Sequence, residues 1–270
     1  MSASHGPRRI VCLTEEPTET LYALGEQDRI VGISGFTVRP AIARRQKPKV
    51  SAFTSARIGE ILKLQPDFVV GFSDIQAEIA AELIRHGIEV WISNHRSVDG
   101  IIDYVRRLGA LVGAADKANA YADELRRGLD AIEAQAATLP RRPRVYFEEW
   151  DEPLITGIRW VAELVRIAGG DDVFPAQAAE SLARGRILAD GAMVVAQAPD
   201  IILGSWCGKK FRPEKVAARP GWEAIPAVRN GELHEIKSPV ILQPGPAALT
   251  DGVADIARII RAWSDRHPAG

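Results

Sequence analysis

The feature that most constrains this chain is one uninterrupted helical stripe set between two stretches of α/β alternation. Ala118, Ala122, Leu125, Leu129, Ile132, Ala136 and Leu139 recur at spacings of 4, 3, 4, 3, 4 and 3, with no proline between Asp116 and Pro140. That period predicts a single amphipathic helix with Asp116 as its N-cap. At a rise of about 1.5 Å per residue, about 24 residues span roughly 36 Å, enough to join two lobes rigidly.

Before the stripe, short apolar runs alternate with helical patterns. Arg9–Leu13 reads as a strand that stops at Thr14-Glu15-Glu16-Pro17-Thr18. A polar cap followed by proline starts a helix, because the missing N–H is not needed in a first turn. That helix carries Leu21 and Leu24 and ends at Gly25. A second strand at Arg29–Ile33 leads into a loop from Ser34 to Lys49, then a helix marked by Ile58, Ile61, Leu62 and Leu64. Asp67–Gly71 is a continuous apolar run of the kind found in a parallel strand covered on both faces. A helix at Ala77–His86 and a strand at Glu89–Ile92 repeat the pattern, with Trp91 assigned to the core.

After Pro140 the alternation restarts as an echo of the first half. Ile58–Gly71 is matched by Gly191–Gly204, each with Pro-Asp opening an apolar strand and Gly closing it. Leu83–Trp91 has a counterpart in Ala224–Ile236, and Thr20–Gly32 in Ala162–Val173. The expected architecture is therefore α/β, with two Rossmann-like lobes joined by one long helix. Residues 8–112 form the N-terminal lobe, 113–140 the connecting helix and 141–265 the C-terminal lobe.

Composition narrows the function classes. The 34 Lys+Arg and 35 Asp+Glu leave a formal charge of -1, no footprint for nucleic acid or an anionic membrane. Two cysteines, Cys12 and Cys207, with no CxxC spacing give neither a disulfide framework nor a metal motif. The five histidines, His5, His86, His95, His234 and His267, are scattered, with His5 and His267 in expected frayed ends. No apolar run reaches the length of about 20 residues that a membrane span needs, and no signal-peptide core follows Arg8-Arg9. A cytoplasmic protein is expected, periplasmic only if a leader has been removed.

In open α/β sheets, ligands bind outside the carboxyl ends of the strands. The loops there are unusually rich in aromatics and carboxylates: Glu15-Glu16, Phe36 to Arg39, Phe72-Ser73-Asp74, Glu148-Glu149-Trp150 and Ser205-Trp206-Cys207-Gly208. Aromatic faces beside polar groups suit a large, flat, partly apolar ligand held in a cleft between lobes. Glu15, Glu16 and Glu19 disfavour a phosphate at that helix N-terminus. Strand alternation puts Tyr146, Glu148 and Trp150 on one face and Glu149 on the other. A hydrolase pairing Glu15 with Glu148 or Glu149 is an alternative.

The order of these motifs resembles the class III, helical-backbone solute-binding proteins that serve ABC importers of vitamin B12, haem and iron-siderophores. Arg9–Leu13 with Thr18-Glu19, Pro66-Asp67, Glu149-Trp150, Trp160–Leu164, Cys207-Gly208, Pro220-Gly221-Trp222 and Pro244-Gly245-Pro246 are most similar to the cobalamin-binding branch. What the resemblance implies is a non-enzymatic protein clamping a corrinoid, with no required cofactor, no catalytic residues and no resident metal. The implied ligand-binding set is Glu15, Phe36, Arg39, Phe72, Glu149, Trp150, Arg159, Trp160, Trp206, Cys207 and Gln243, with Glu15 and Glu149 accepting amide N–H groups. Haem or siderophore iron is a further alternative, with Cys207 or Tyr146 reaching the metal. Relatives that dock on an ABC permease present one acid per lobe. Glu78 stands where the first belongs, and Ser238–Pro244 offers no second.

Overall fold

The structure is a computed structural model and describes residues 6–267; His5 lies outside them. The chain divides into two compact units. The first takes the residues up to His95, Asp99–Arg126 and Gln243–Ala247. The second takes Arg96–Val98, Arg127–Leu242 and the residues from Ala248 onward.

In the first unit, β1 (Ile10–Cys12), α1 (Glu15–Ala23), β2 (Ile30–Ser34), α2 (Ala41–Gln46), β3 (Lys49–Ser51), α3 (Ile58–Lys63), β4 (Phe68–Phe72), α4 (Ala77–Arg85), β5 (Glu89–Ser93) and α5 (Val98–Leu111) follow one another. The sheet order is β3-β2-β1-β4-β5 and every pairing is parallel. Val11, Leu13, Val50, Ile61, Val69 and Leu83 pack into one core cluster, as expected for apolar strands covered by helices. The chain leaves β1 for β2 on one side and returns to β4 on the other. A topological switch point therefore lies at the carboxyl ends of β1 and β4.

Local signals account for most boundaries. Thr14 is the extended N-cap residue of α1, Pro17 sits in its first turn, and Gly25 follows the helix with φ +74°. Two helices of the first unit were not expected. Within the stretch read as a loop, α2 forms because Ala43 is buried and Arg44 Nη1 donates to the carbonyls of Gly35 (2.6 Å) and Thr37 (3.2 Å). The other is α5, whose stripe Val98, Ile101, Ile102, Val105 and Leu108 is buried. Trp91 is half-buried and stacks on Tyr104 of α5, with ring centroids 5.4 Å apart.

The apolar stripe with 4–3 spacing forms α6 (Ala115–Ala136), a helix of 22 residues. Asp116 lies inside its first turn, one residue after the helix starts, and is not the cap. The residues through Arg126 belong to the first unit and those from Arg127 to the second. Ala118, Ala122, Leu125, Leu129 and Ala136 are buried along it.

The second unit contains β6 (Arg144–Asp151), β7 (Leu154–Thr156), α7 (Arg159–Ile167), β8 (Asp171–Asp172), α8 (Pro175–Ala178), α9 (Ala192–Gln197), β9 (Ile201–Gly204), α10 (Pro213–Ala217), α11 (Pro226–Arg229), β10 (Leu233–Glu235), α12 (Ser238–Ile241) and α13 (Val253–Arg266). Its sheet runs β10-β9-β6-β7, with β8 also paired to β6. The sequence echo is realised as strand pairing. β6-β9-β10 are parallel neighbours, as β1-β4-β5 are. The departure is β7, which folds back antiparallel on β6 across a bulge between Glu148 and Trp150.

Candidate ligand-binding site

At the switch point of the first sheet, Glu15 and Glu16 occupy the first turn of α1, and both are buried. Glu16 accepts the Thr14 hydroxyl at 2.6 Å on Oε1. Gly245 sits directly over it, where an added Cβ would come 2.6 Å from the Glu16 Cβ. Burial pushes the Glu15 carboxyl up to about 7 and the Glu16 carboxyl up to about 8, overriding the helix N-terminus that favours carboxylates. Phe72, at the end of β4, is buried and meets His95 edge-on at 5.3 Å. His95 holds Ser93 Oγ at 2.6 Å through Nδ1 and the Pro244 carbonyl at 2.7 Å through Nε2. Those two contacts assign the Nε2–H tautomer, because a carbonyl only accepts.

The loop after β2 is more open. Phe36 is 50% exposed, and Arg39 pairs with Glu19 at 3.0 Å. Gln243 is half-buried and starts the short segment that belongs to the first unit.

In the second unit, the end of β6 and the loop after β9 bring Trp150 and Trp206 around one cation. Lys209 Nζ lies 4.1 Å from the Trp150 ring centroid and 5.1 Å from that of Trp206, and it also binds Asp151. Trp150 is half-buried and donates Nε1–H to the Glu152 carbonyl at 2.8 Å. Trp206 is 3% exposed, packs on Phe211 and donates to Glu148 Oε1 at 3.0 Å. Cys207, next to it, is exposed, whereas Cys12 is buried, its thiol pushed up to about 12 by burial.

Glu149 forms a two-pronged ion pair with the buried Arg186, whose Nη1 also donates to the Thr156 carbonyl at 2.6 Å. Glu148 is fully enclosed and bound by both terminal nitrogens of Arg219. Glu148 is thus a structural anchor, which corrects its expected use as a hydrolytic carboxylate. Tyr146 is likewise sealed, edge-on to Phe174 and Trp222, which corrects its expected reach to a metal. Arg159 is exposed and pairs with Glu163 of its own helix at 2.8 Å. Trp160 is buried and donates to the Ile241 carbonyl at 2.9 Å.

The structure gathers one group within each unit. In the first, Phe72 and Glu15 lie at the ends of adjacent strands β4 and β1. In the second, Trp150 and Trp206 share Lys209. Arg159 and Trp160 are on α7 and stand outside the second group. Lys209, Arg186, Arg219 and His95 were missed. The Lys209-Lys210 pair beside Trp206 was the one local signal available.

A family model described as a periplasmic binding protein matches residues 10–240. The chain belongs to the periplasmic binding protein family. Among its relatives, a vitamin B12-binding protein of Vibrio vulnificus is 25% identical over 248 residues, 89% of this chain and 86% of that protein. The periplasmic vitamin B12-binding protein of Vibrio cholerae has a structure of the same fold, with a TM-score of 0.74 at 21% identity, covering 95% and 98% of the two chains. A periplasmic haem-binding protein of Roseiflexus sp. RS-1 gives 0.80 at 22% identity, covering 94% and 100%. The motif resemblance and the α/β class therefore hold. Cytoplasmic location does not: family membership points outside the cytoplasm. A leader is a processing signal and no part of a fold, so its pattern was a poor guide. Among the described residues, no helix is long and apolar enough to cross a membrane.

Proposed function

We propose that this periplasmic binding protein holds cobalamin or a related corrinoid, without catalysis, on the loops at the carboxyl ends of its two sheets. The observation that carries the reading is the similarity to a vitamin B12-binding protein along nearly the whole of both chains. The exposed face of Phe36 and the half-buried Trp150 support it, because aromatic faces suit a flat macrocycle. Arg39, Phe72, Glu149, Trp206, Cys207 and Gln243 complete the proposed set, with Trp206 acting by backing Trp150 through Lys209. Arg159 and Trp160 are proposed only as its outer edge.

No cofactor is required, since the corrinoid is cargo. Delivery to an ABC permease is the proposed partnership, with the exposed Glu78 in the first turn of α4 as its contact. A haem or siderophore reading needs an exposed donor to iron, and Cys207 at a strand end offers one.

Titration with cyanocobalamin, followed by tryptophan quenching, tests the reading. Saturation at or below micromolar concentration is expected. No quenching up to about 100 μM, equivalent to only about 5.5 kcal/mol, discards it. Haemin run in competition separates the two ligand classes.

A further inference from the structure

A cavity of about 370 Å³ lies within the second unit, lined by α7 on one side and by β8 and α8 on the other. It is separate from the loops proposed to hold a corrinoid. Asp172 of β8 pairs with Val145 near the start of β6, and those loops follow the carboxyl ends of the strands. Ala162 of α7, with Pro175, Ala178 and Ala179, gives the cavity an apolar wall. The rest of the lining is charged, and its charges are paired with one exception. Arg159 binds Glu163 at 2.8 Å, Arg166 binds Glu133 at 2.9 Å, and Arg142 holds Asp171 at 3.1 Å. Glu163 also accepts the Val98 N–H at 2.6 Å.

Asp172 is the exception: among the described residues it has no ion pair. Its Oδ1 accepts the Phe174 N–H at 2.7 Å, which holds the side chain in the cavity wall. Its Oδ2 has no hydrogen-bond partner among the described residues, and the side chain is only half-buried, so this oxygen is not sealed off. Burial pushes the carboxyl up to about 6, and no neighbouring cation draws it back. An unbalanced carboxylate thus faces a cavity whose other charges are neutralised, a state that a bound cation relieves.

The lining narrows which cation fits. Among the described residues no group of three His, Cys, Asp or Glu could hold a metal ion. A guanidinium fork needs both carboxylate oxygens, and Oδ1 is already engaged by Phe174. A primary ammonium needs one free oxygen, and an alkyl chain behind it matches the alanine and proline wall. We infer that this cavity is a second binding site, taking a small primary alkylammonium ion whose N–H donates to Asp172 Oδ2. Neither the cavity nor its lining depends on which ligand the strand-end loops hold.

The charged and titratable groups around Asp172 come from each neighbouring element. Arg159, Glu163 and Arg166 stand on α7 and Asp171 on β8. Glu133 of α6 and Arg142 ahead of β6 pair into the same wall, Tyr146 of β6 is an electrostatic neighbour, and α8 carries no charged residue.

The probe is butylammonium chloride, titrated at pH 5 and pH 7 and followed by ligand-observed NMR and by the Phe174 amide shift, with 1-butanol as the uncharged control. At pH 7 saturation is expected at about 1–10 mM, the scale for a ligand of so few heavy atoms, with butanol about tenfold weaker. Affinity should be about tenfold lower at pH 5, where Asp172 is protonated and the amine is still charged. Asp172→Asn keeps an oxygen for the Phe174 N–H and removes the charge, so it should fold normally, bind about tenfold more weakly and lose the pH dependence. Ala179→Leu crowds the wall from an exposed position and should weaken binding about threefold or more. The site is overturned by no saturable butylammonium binding up to about 100 mM. It is equally overturned by butanol binding as tightly as butylammonium, by an affinity unchanged between pH 5 and pH 7, or by wild-type affinity in either variant.

Discussion

Arg219 grips Glu148 with both ends of its guanidinium: Nη1 lies 2.6 Å from Oε2 and Nη2 2.9 Å from Oε1. The carboxylate is fully buried, the arginine side chain is 19% exposed, and Trp206 Nε1 donates to the same Oε1. This bond ties the segment after α10 to the middle of β6 and fixes the indole beside the β9 loop. Arg219→Ala leaves a buried carboxylate without its cation and should destabilise the protein by about 3–5 kcal/mol. Denaturant unfolding of the variant measures this, and a loss under about 1 kcal/mol contradicts it.

The two acids of α1 make stability depend on pH. Their folded-state values, about 7 and about 8, lie above the ordinary 4.5, so the folded chain holds protons that the unfolded chain releases. The associated stability is complete below that ordinary value and disappears as pH rises through about 8. Unfolding free energy should fall by on the order of a few kcal/mol between about pH 5 and about pH 9. Glu16→Gln should flatten much of the fall, and a flat wild-type profile refutes the assignment.

Thiol chemistry should distinguish the two cysteines. Cys12 is enclosed in β1 with its thiol pushed up to about 12, while Cys207 is exposed. A thiol reagent should modify one cysteine in the native protein and two after denaturation. Native Cys207→Ser should not react, and fast labelling of that variant defeats the prediction.

The two tryptophans flanking Lys209 should behave differently when truncated. Trp150→Ala should weaken cyanocobalamin binding about tenfold or more with little change in stability, because the ring is only half-buried. Trp206→Ala should cost about 3–5 kcal/mol of stability besides any loss of affinity, since it empties a core position. Equal stability of both variants runs against this division.

Much of the fold was legible because it rests on local rules. Pro17 and Gly25 bracket α1, the apolar runs Phe68–Phe72 and Ile201–Gly204 form buried strands, and the 4–3 stripe forms α6. The echo between halves was also readable, since Pro-Asp and Gly recur at equivalent strand ends. The α5 helix was missed although its stripe is plain, and α2 was missed because a six-residue helix carries too little periodicity to register.

The candidate site was legible only as a set of strand-end loops. Alternation correctly put Tyr146 and Glu148 on one face of β6, but nothing local says that this face is sealed. Arg219 reaches Glu148 across 71 positions of sequence and Arg186 reaches Glu149 across 37.

What the sequence by itself determined was the class of fold and the strand-end loops that carry the proposed site, because periodicity, caps and turn residues act over a few neighbouring positions. Which aromatics and carboxylates stay open to a ligand was decided by the tertiary structure alone. Burial and ion pairing depend on distant partners, and the same residue types become anchors, as Glu148 and Tyr146 do, or stand exposed, as Phe36 does.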